Sequence, residues 1–496
     1  MIIAGAMLLA STCAFAQAYL PSEGNIRERK DFVKERFGIF LHWGIYASYA
    51  QGEWYMNTGK LNAGEYAKAA SGFYPAAYDA SAWVKAFKDA GAEYVTITSR
   101  HHDGFSMFAT KQSDYNIVDA TPFKRDVIKE LADACHEQGL KLQFYYSILD
   151  WTRDDYPLGE SGRNAGRRTD RQDYDHYLAF MKAQCKELME NYAPVRALWF
   201  DGYWDHKRDS IPFDWKMPEF YSYLHSLNPD VLIGNNHHIL PIEGEDFQMF
   251  ERDLPGQNTA GFSEGQEIGT LPLEMCQTMN HSWGYSVSDQ DYKSIKDLVC
   301  KLAQCVSLNT NLLLNIGPQA SGELPQAALD RLKGIGEWMR VNGESIKGCG
   351  PGPLAEQEWG VTTAPIGDPK TFYLHVFENP GAVIEIPVAK KAKVKAVTAL
   401  YDGKPLVFKK FKDRLLVTLP ANLPDTDYVI RIVQKLSWQY DVYEQVAELS
   451  ATCSFYPKLS SHFVPASSPT CPGIYCASGC NTGRLLLRSP VRVNAP

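Results

Sequence analysis

The stretch "RALWFDG", Arg196 to Gly202, is an apolar run that ends in a carboxylate and a glycine. Its first residues have the composition of a buried strand. A carboxylate is a poor choice for such a setting unless the strand empties into a place where charge is used. The same pattern recurs along the chain. "FGIFLHWG" (Phe37 to Gly44), "EYVTITSRHH" (Glu93 to His102) and "LKLQFYYS" (Leu140 to Ser147) precede it. "VLIGNNHH" (Val231 to His238), "DFQMFE" (Asp246 to Glu251), "TLPLEMC" (Thr270 to Cys276) and "NLLLNIGP" (Asn311 to Pro318) follow. Amphipathic stretches such as Arg125 to Gln138 and Tyr174 to Asn191 lie between them. Strands alternating with helices imply a parallel sheet, and continuous apolar strands imply one covered on both faces. Eight such units imply an α/β fold of the (β/α)8, TIM-like barrel type. Nearly every run ends in polar, reactive side chains. In this barrel the C-terminal strand ends converge on one site, so Asp201 is expected at the mouth of a shared pocket.

After Gly348 the periodicity changes. "TFYLHVF", "GAVIEIPV", "KVKAVTALYDGKPLVF", "RLLVTLP" and "DYVIRIV" alternate apolar and polar residues between Gly, Pro and Asp turns. They predict an antiparallel β-sandwich, with "DGK" at Asp402 to Lys404 as a hairpin signal. The expected organisation is a signal peptide over residues 1–16, a barrel over 17–348, a sandwich over 349–433 and a tail of uncertain structure over 434–496. The leader reading rests on the apolar run Ile2 to Ala10 and the small-x-small "AFA" before Gln17. It predicts export to the periplasm or the medium, with lipid attachment at Cys13 as the weaker alternative. The leader run is too short to span a bilayer, and no other stretch is long enough.

The chain has 496 residues, of which 45% are hydrophobic and 22% charged, and a net charge of -8. The charge is spread along the sequence without a basic stripe, so nucleic acid is not an expected partner. Cys135, Cys185, Cys276, Cys300, Cys305 and Cys349 show no metal-ligand spacing and are expected as buried small hydrophobes. Cys453, Cys471, Cys476 and Cys480 lie in the Ser/Pro-rich tail. Disulfides there would need an oxidising compartment, and a poorly ordered extension is the preferred reading. There is no HExxH, His-x-His, GxSxG or phosphate-binding glycine loop, so neither metal nor cofactor is expected. Neutral His, Tyr, Trp and Asn side chains at the strand ends suit sugar hydroxyls and ring faces. A pair of carboxylates would then supply glycoside hydrolysis.

"FGIFLHWGIYA", "EWY", "SRHHDGFSMF", "KRD", "YYSILDW", "LWFDG", "CQTMNHSWGY" and "NLLLNIGP" occur in the order in which they appear in the α-L-fucosidases of glycoside hydrolase family 29. The chain resembles that family from about Phe37 to Gly348. The resemblance implies a barrel followed by a β-sandwich, and an exo-acting retaining enzyme. Such an enzyme releases terminal α-linked L-fucose from an oligosaccharide or glycoconjugate without a metal. It also implies that Asp201 is the nucleophile. By the same resemblance His42, Glu53, Trp54, His101, His102, Tyr145 and Trp283 bind the sugar. His237 or His238 stands where some members carry an arginine. The acid/base is expected at Glu251, with Glu274, Glu264 and Glu267 as alternatives. Two rival readings are a non-catalytic fucose- or glycan-binding barrel and a retaining glycosidase for another sugar.

Overall fold

The computed structural model describes residues 19–435. The expected leader, Cys13 and the four tail cysteines lie outside them. Eight parallel strands form the barrel: β1 (Phe37–Leu41), β2 (Tyr94–Arg100), β3 (Lys141–Ser147), β4 (Ala197–Asp201), β5 (Leu232–Asn235), β6 (Gln248–Glu251), β7 (Leu273–Thr278) and β8 (Thr310–Ile316). They are hydrogen-bonded in the order β5-β4-β3-β2-β1-β8-β7-β6. No ladder joins β5 to β6. Asp246 closes that seam. Its amide donates to the Ile233 carbonyl at 2.6 Å, and its Oδ2 accepts the Ile233 amide at 2.7 Å.

Helices Ala80–Asp89, Val127–Gln138, Tyr174–Asn191 and Met217–Leu227 precede β2, β3, β4 and β5 in turn, and Ile295–Ser307 precedes β8. Asp79, Asp126, Asp173 and Ser294 begin four of them by accepting a backbone amide of the first turn, which satisfies donors that a helix start leaves unpaired. An earlier helix, Glu23–Phe32, closes the bottom of the barrel. Its Phe32 packs against Tyr94 and Phe247, and its Arg29 pairs with Asp246 at 2.5 Å.

Side-chain parity explains why the strands read as unbroken apolar runs. Phe40, Tyr94, Tyr145, Trp199, Met249, Cys276 and Leu313 fill the barrel interior. Their strand neighbours Ile39, Val95, Phe144, Leu198, Phe200, Phe250, Met275 and Leu314 pack in the layer shared with the helices. Successive residues point to opposite faces, and both faces are buried.

The C-terminal strands are β9 (Cys349–Pro351), β10 (Gly360–Pro365), β11 (Thr371–Val376), β12 (Val383–Pro387), β13 (Val394–Ala399), β14 (Phe408–Phe411), β15 (Arg414–Thr418) and β16 (Tyr428–Gln434). They form a five-stranded sheet, β13-β16-β11-β10-β9, and a three-stranded sheet, β12-β15-β14. Phe372, Leu374, Ile430 and Ile432 of the first share a core with Ile384, Ile386, Leu415 and Val417 of the second. β16 runs through Gln434, one residue into the segment expected as tail. The "DGK" hairpin is corrected. Asp402 caps a turn by accepting the Lys404 amide at 3.1 Å, and Thr398 bridges Pro405, but β13 and β14 belong to different sheets. A turn motif fixes the reversal of the chain, not the strand that the returning segment joins.

Among the described residues no helix is long and apolar enough to cross a membrane. All six cysteines there are free, and five are buried.

Candidate active site

A cavity of about 540 Å³ opens at the C-terminal ends of the barrel strands. Its floor is Phe40, Trp199 and Cys276, each two residues before a strand end or loop that carries polar groups. Its wall contains His42, Glu53, Trp54, His101, His102, Tyr145, Asp201, Glu251 and Trp283. These nine are residues that the sequence marks, and the structure brings them into one cavity.

Asp201 ends β4, two residues beyond Trp199, so the alternation of β4 aims it inward. Its Oδ2 accepts the Tyr145 hydroxyl at 2.9 Å and lies 3.6 Å from His102 Nε2. Its Oδ1 accepts the Gly202 amide at 2.8 Å and the Trp204 indole at 3.3 Å. The Gly202 contact depends on a left-handed backbone, φ 109°, which glycine adopts without a Cβ clash. Burial and then the Glu251 charge push the Asp201 carboxyl up to about 6, against the pull of Tyr145, His238 and Trp204.

Glu251 ends β6 and points to the same side. Burial raises its carboxyl above the ordinary range, while Asn236, Arg252 and Trp283 draw it back. Asn236 Nδ2 lies 2.9 Å from Glu251 Oε2 and 3.5 Å from Asp201 Oδ1. One amide nitrogen thus reaches both carboxyls. The two carboxyls therefore face one another across one narrow gap, as a pair acting on a single anomeric carbon requires.

The histidines are neutral. Burial lowers His42 to about 3 and puts His101 and His102 well below the ordinary imidazole range. His42 Nδ1 meets Asn315 Oδ1 at 2.6 Å, and Asn315 donates its amide to the Trp283 carbonyl. Nδ1 therefore carries the proton and Nε2 is left as an acceptor. His102 Nδ1 meets Ser147 Oγ at 2.8 Å, and that hydroxyl is spent on the Leu149 carbonyl. His102 Nε2 is likewise an acceptor. His101 stacks on Tyr145 at 5.3 Å, and its Nδ1 has no partner. Such groups are matched to sugar hydroxyls, which both donate and accept. Glu53 Oε2 accepts the Gly284 amide at 2.6 Å, and burial raises its carboxyl. Trp54 stacks on Trp204 at 5.4 Å, and Trp283 lies 5.2 Å from His42.

The structure places the remaining sequence candidates elsewhere. His237 does not line the cavity. It is buried against Glu245, with Nε2 3.0 Å from Oε1. His238 lines the cavity instead, 3.7 Å from Glu251. Gly234, Asn236 and His238 share one parity, and His237 has the other. Glu274 lies inside the barrel, accepting the Tyr94 hydroxyl at 2.7 Å and the Trp199 indole at 2.9 Å. Burial pushes it up to about 7. Glu264 and Glu267 are exposed on the loop after β6, outside the cavity wall. The sequence reading did not select Asn236, Trp204, Lys207, Arg252 or Phe262 as site residues. Strand parity would have found Asn236. The others sit on loops, where no periodicity applies.

A family model described as Alpha-L-fucosidase matches residues 7–344. An alpha-L-fucosidase of Dictyostelium discoideum is 30% identical over 421 residues, covering 77% of this chain and 85% of that protein. Among solved structures, Alpha-L-fucosidase isoenzyme 1 from Paenibacillus thiaminolyticus is 37% identical with a TM-score of 0.74. The match covers 83% of this chain and 100% of that one. A GH29 alpha-L-fucosidase from Bacteroides thetaiotaomicron, solved as a trapped covalent intermediate, is 26% identical with a TM-score of 0.70. It covers 85% of this chain and 98% of its own.

Proposed function

The chain belongs to the α-L-fucosidase family, and we propose that Asp201 is its nucleophile and Glu251 its acid/base. It is a retaining hydrolase of terminal α-linked L-fucose on fucosylated glycans. Family membership argues against the binding-module reading and against another sugar specificity.

In the first step an Asp201 oxygen attacks the anomeric carbon from the β face. The bond to the glycosidic oxygen breaks, and Glu251 gives that oxygen its proton. The fucosyl group is then held as a β-linked ester. In the second step Glu251, now a carboxylate, takes a proton from water as the water attacks the same carbon. Asp201 leaves, Glu251 is again protonated, and α-fucose is released. The observation that carries the assignment is the shared donor Asn236, 2.9 Å from Glu251 and 3.5 Å from Asp201. His42, His101, His102 and Tyr145 would hold the fucose hydroxyls, and Trp54 and Trp283 would cover its ring. Export over residues 1–16 is part of the same proposal. It is supported by the apolar leader and its "AFA" site.

The test is leaving-group dependence. A glycosidic alkoxide needs a proton on departure and an activated phenolate does not. Glu251→Ala is expected to lose most activity on a fucosyl disaccharide and far less on an activated aryl fucoside. Azide, which attacks the β-linked ester without a base, should restore aryl fucoside turnover and yield α-fucosyl azide. Equal losses on both substrates with no azide effect would overturn the assignment.

A further inference from the structure

One arc of the cavity mouth carries charge that fucose hydrolysis does not require. Lys207 follows β4, His238 follows β5 and Arg252 follows β6, and all three line the cavity. The exposed Lys207 ammonium has no hydrogen bond or ion pair among the described residues. Arg252 has no carboxylate partner among them either. Its Nη2 donates to the His281 carbonyl at 2.8 Å, and its Nε is buried without a partner. The guanidinium lies 5.1 Å from the Trp283 ring centre and 6.0 Å from that of Phe262. Phe262 itself is 43% exposed at the mouth.

Arg252 sits there at two costs. Its backbone is left-handed, φ 60°, a conformation that non-glycine residues adopt rarely. Its charge also draws the Glu251 carboxyl down, against a group that must hold a proton to act as an acid. A guanidinium strained in this way, beside an acid it works against and with no ion pair of its own, fits an anionic partner that comes from outside the chain.

We infer that Lys207, Arg252 and Phe262 form the subsite for the sugar that bears the fucose, and that this sugar carries an anionic substituent. A carboxylate or a sulfate ester would rest on the two cations, with the sugar ring against Phe262. The inference deepens the fucosidase reading and rests on it. His238, pushed down to about 4 by burial, stays neutral between the cations and does not compete for the anion.

The test is binding to Asp201→Asn protein, which holds ligand without turning it over. Three fucosyl disaccharides are compared that differ only in the second sugar: a neutral hexose, its hexuronic acid and its 6-sulfate. One acidic disaccharide should bind about tenfold tighter than the neutral one at low salt, with an advantage that shrinks as salt is added. Which acid gains identifies the substituent. Adding Lys207→Gln, at an exposed position, should remove most of the advantage, and Arg252→Gln the remainder. Equal affinity for all three, or an advantage that survives loss of both cations, would overturn the inference. Turnover of 4-nitrophenyl α-L-fucoside by the unsubstituted enzyme separately tests the hydrolase reading, so the two failures are distinguishable.

Discussion

Asp201 must be ionised to attack, and Glu251 must be protonated to donate. The first requirement sets the acid limb of the pH profile and the second sets the alkaline limb. Asp201 is held up at about 6 by burial and by the Glu251 charge. Activity is therefore expected to fall as pH drops through about 6, and to fall again as Glu251 loses its proton, the two carboxyls titrating as a coupled pair. In the active form Glu251 holds its proton and adds no charge beside Asp201, so burial sets the acid limb. On an activated aryl fucoside, which needs no acid for departure, Glu251→Gln should therefore keep the acid limb of kcat/KM in place and abolish the alkaline limb. An alkaline limb that persists in that variant would mean that Glu251 is not the group that sets it. Glu274 gives a stability prediction with its own sign. Its folded pKa, about 7, lies above the unfolded ~4.3. The stability it contributes is present below the unfolded value and lost as pH rises through the folded one, a swing on the order of 3 kcal/mol. Thermal melts should show Glu274→Gln hurting the protein more at pH 5 than at pH 8. A cost that is the same at both would contradict the burial of an ionisable group there. At this scale Asp201, Glu251, His42 and Tyr145 were legible because each ends a strand-like run. His238 was not chosen over His237, although strand alternation separates them, because the run's end at Asn235 was not fixed by the sequence.

Strands β1, β4 and β6 each deliver a functional group by the alternation that fills the interior below it: Phe40 then His42, Trp199 then Asp201, Met249 then Glu251. The turn that follows is equally exacting. At Gly202, φ is 109° and an added Cβ would meet Leu149 Cδ2 at 2.9 Å. Gly202→Ala should therefore lower kcat by about tenfold or more through a displaced Asp201 carboxyl, with the fold retained by circular dichroism. A fully active Gly202→Ala enzyme would show that the turn does not position the nucleophile. Asp246 ties the β5–β6 seam to the N-terminal helix through Arg29 and Ile233. Asp246→Ala should destabilise by about 3 kcal/mol in denaturant unfolding, because it strands a partly buried guanidinium and a strand amide. The eight strands were readable because two buried faces make continuous apolar runs. Helix Glu23–Phe32 and the strands β9 and β10 were not, being short or largely polar. The β13-to-β14 crossing was hidden because pairing depends on long-range packing, which a turn motif does not encode.

Over the whole molecule, a net charge of -8 coexists with a cavity that presents two cations without ion pairs among the described residues, Lys207 and Arg252, beside the carboxyls of Glu53, Asp201 and Glu251. The barrel concentrates this contrast at one end, and it comes from loops that no periodicity marks. The central claim is that the fucosyl group passes through a covalent bond to Asp201. The most direct measurement traps that bond. In Glu251→Ala protein, 2-deoxy-2-fluoro-fucosyl fluoride supplies a leaving group that needs no acid. The missing base then slows release from the enzyme, so the ester should accumulate. Mass spectrometry of the intact protein and of its peptides should find one 2-fluorofucosyl group, on the peptide containing Asp201 and on that residue. A label on another carboxylate, or none under conditions where fluoride is released, would contradict the account.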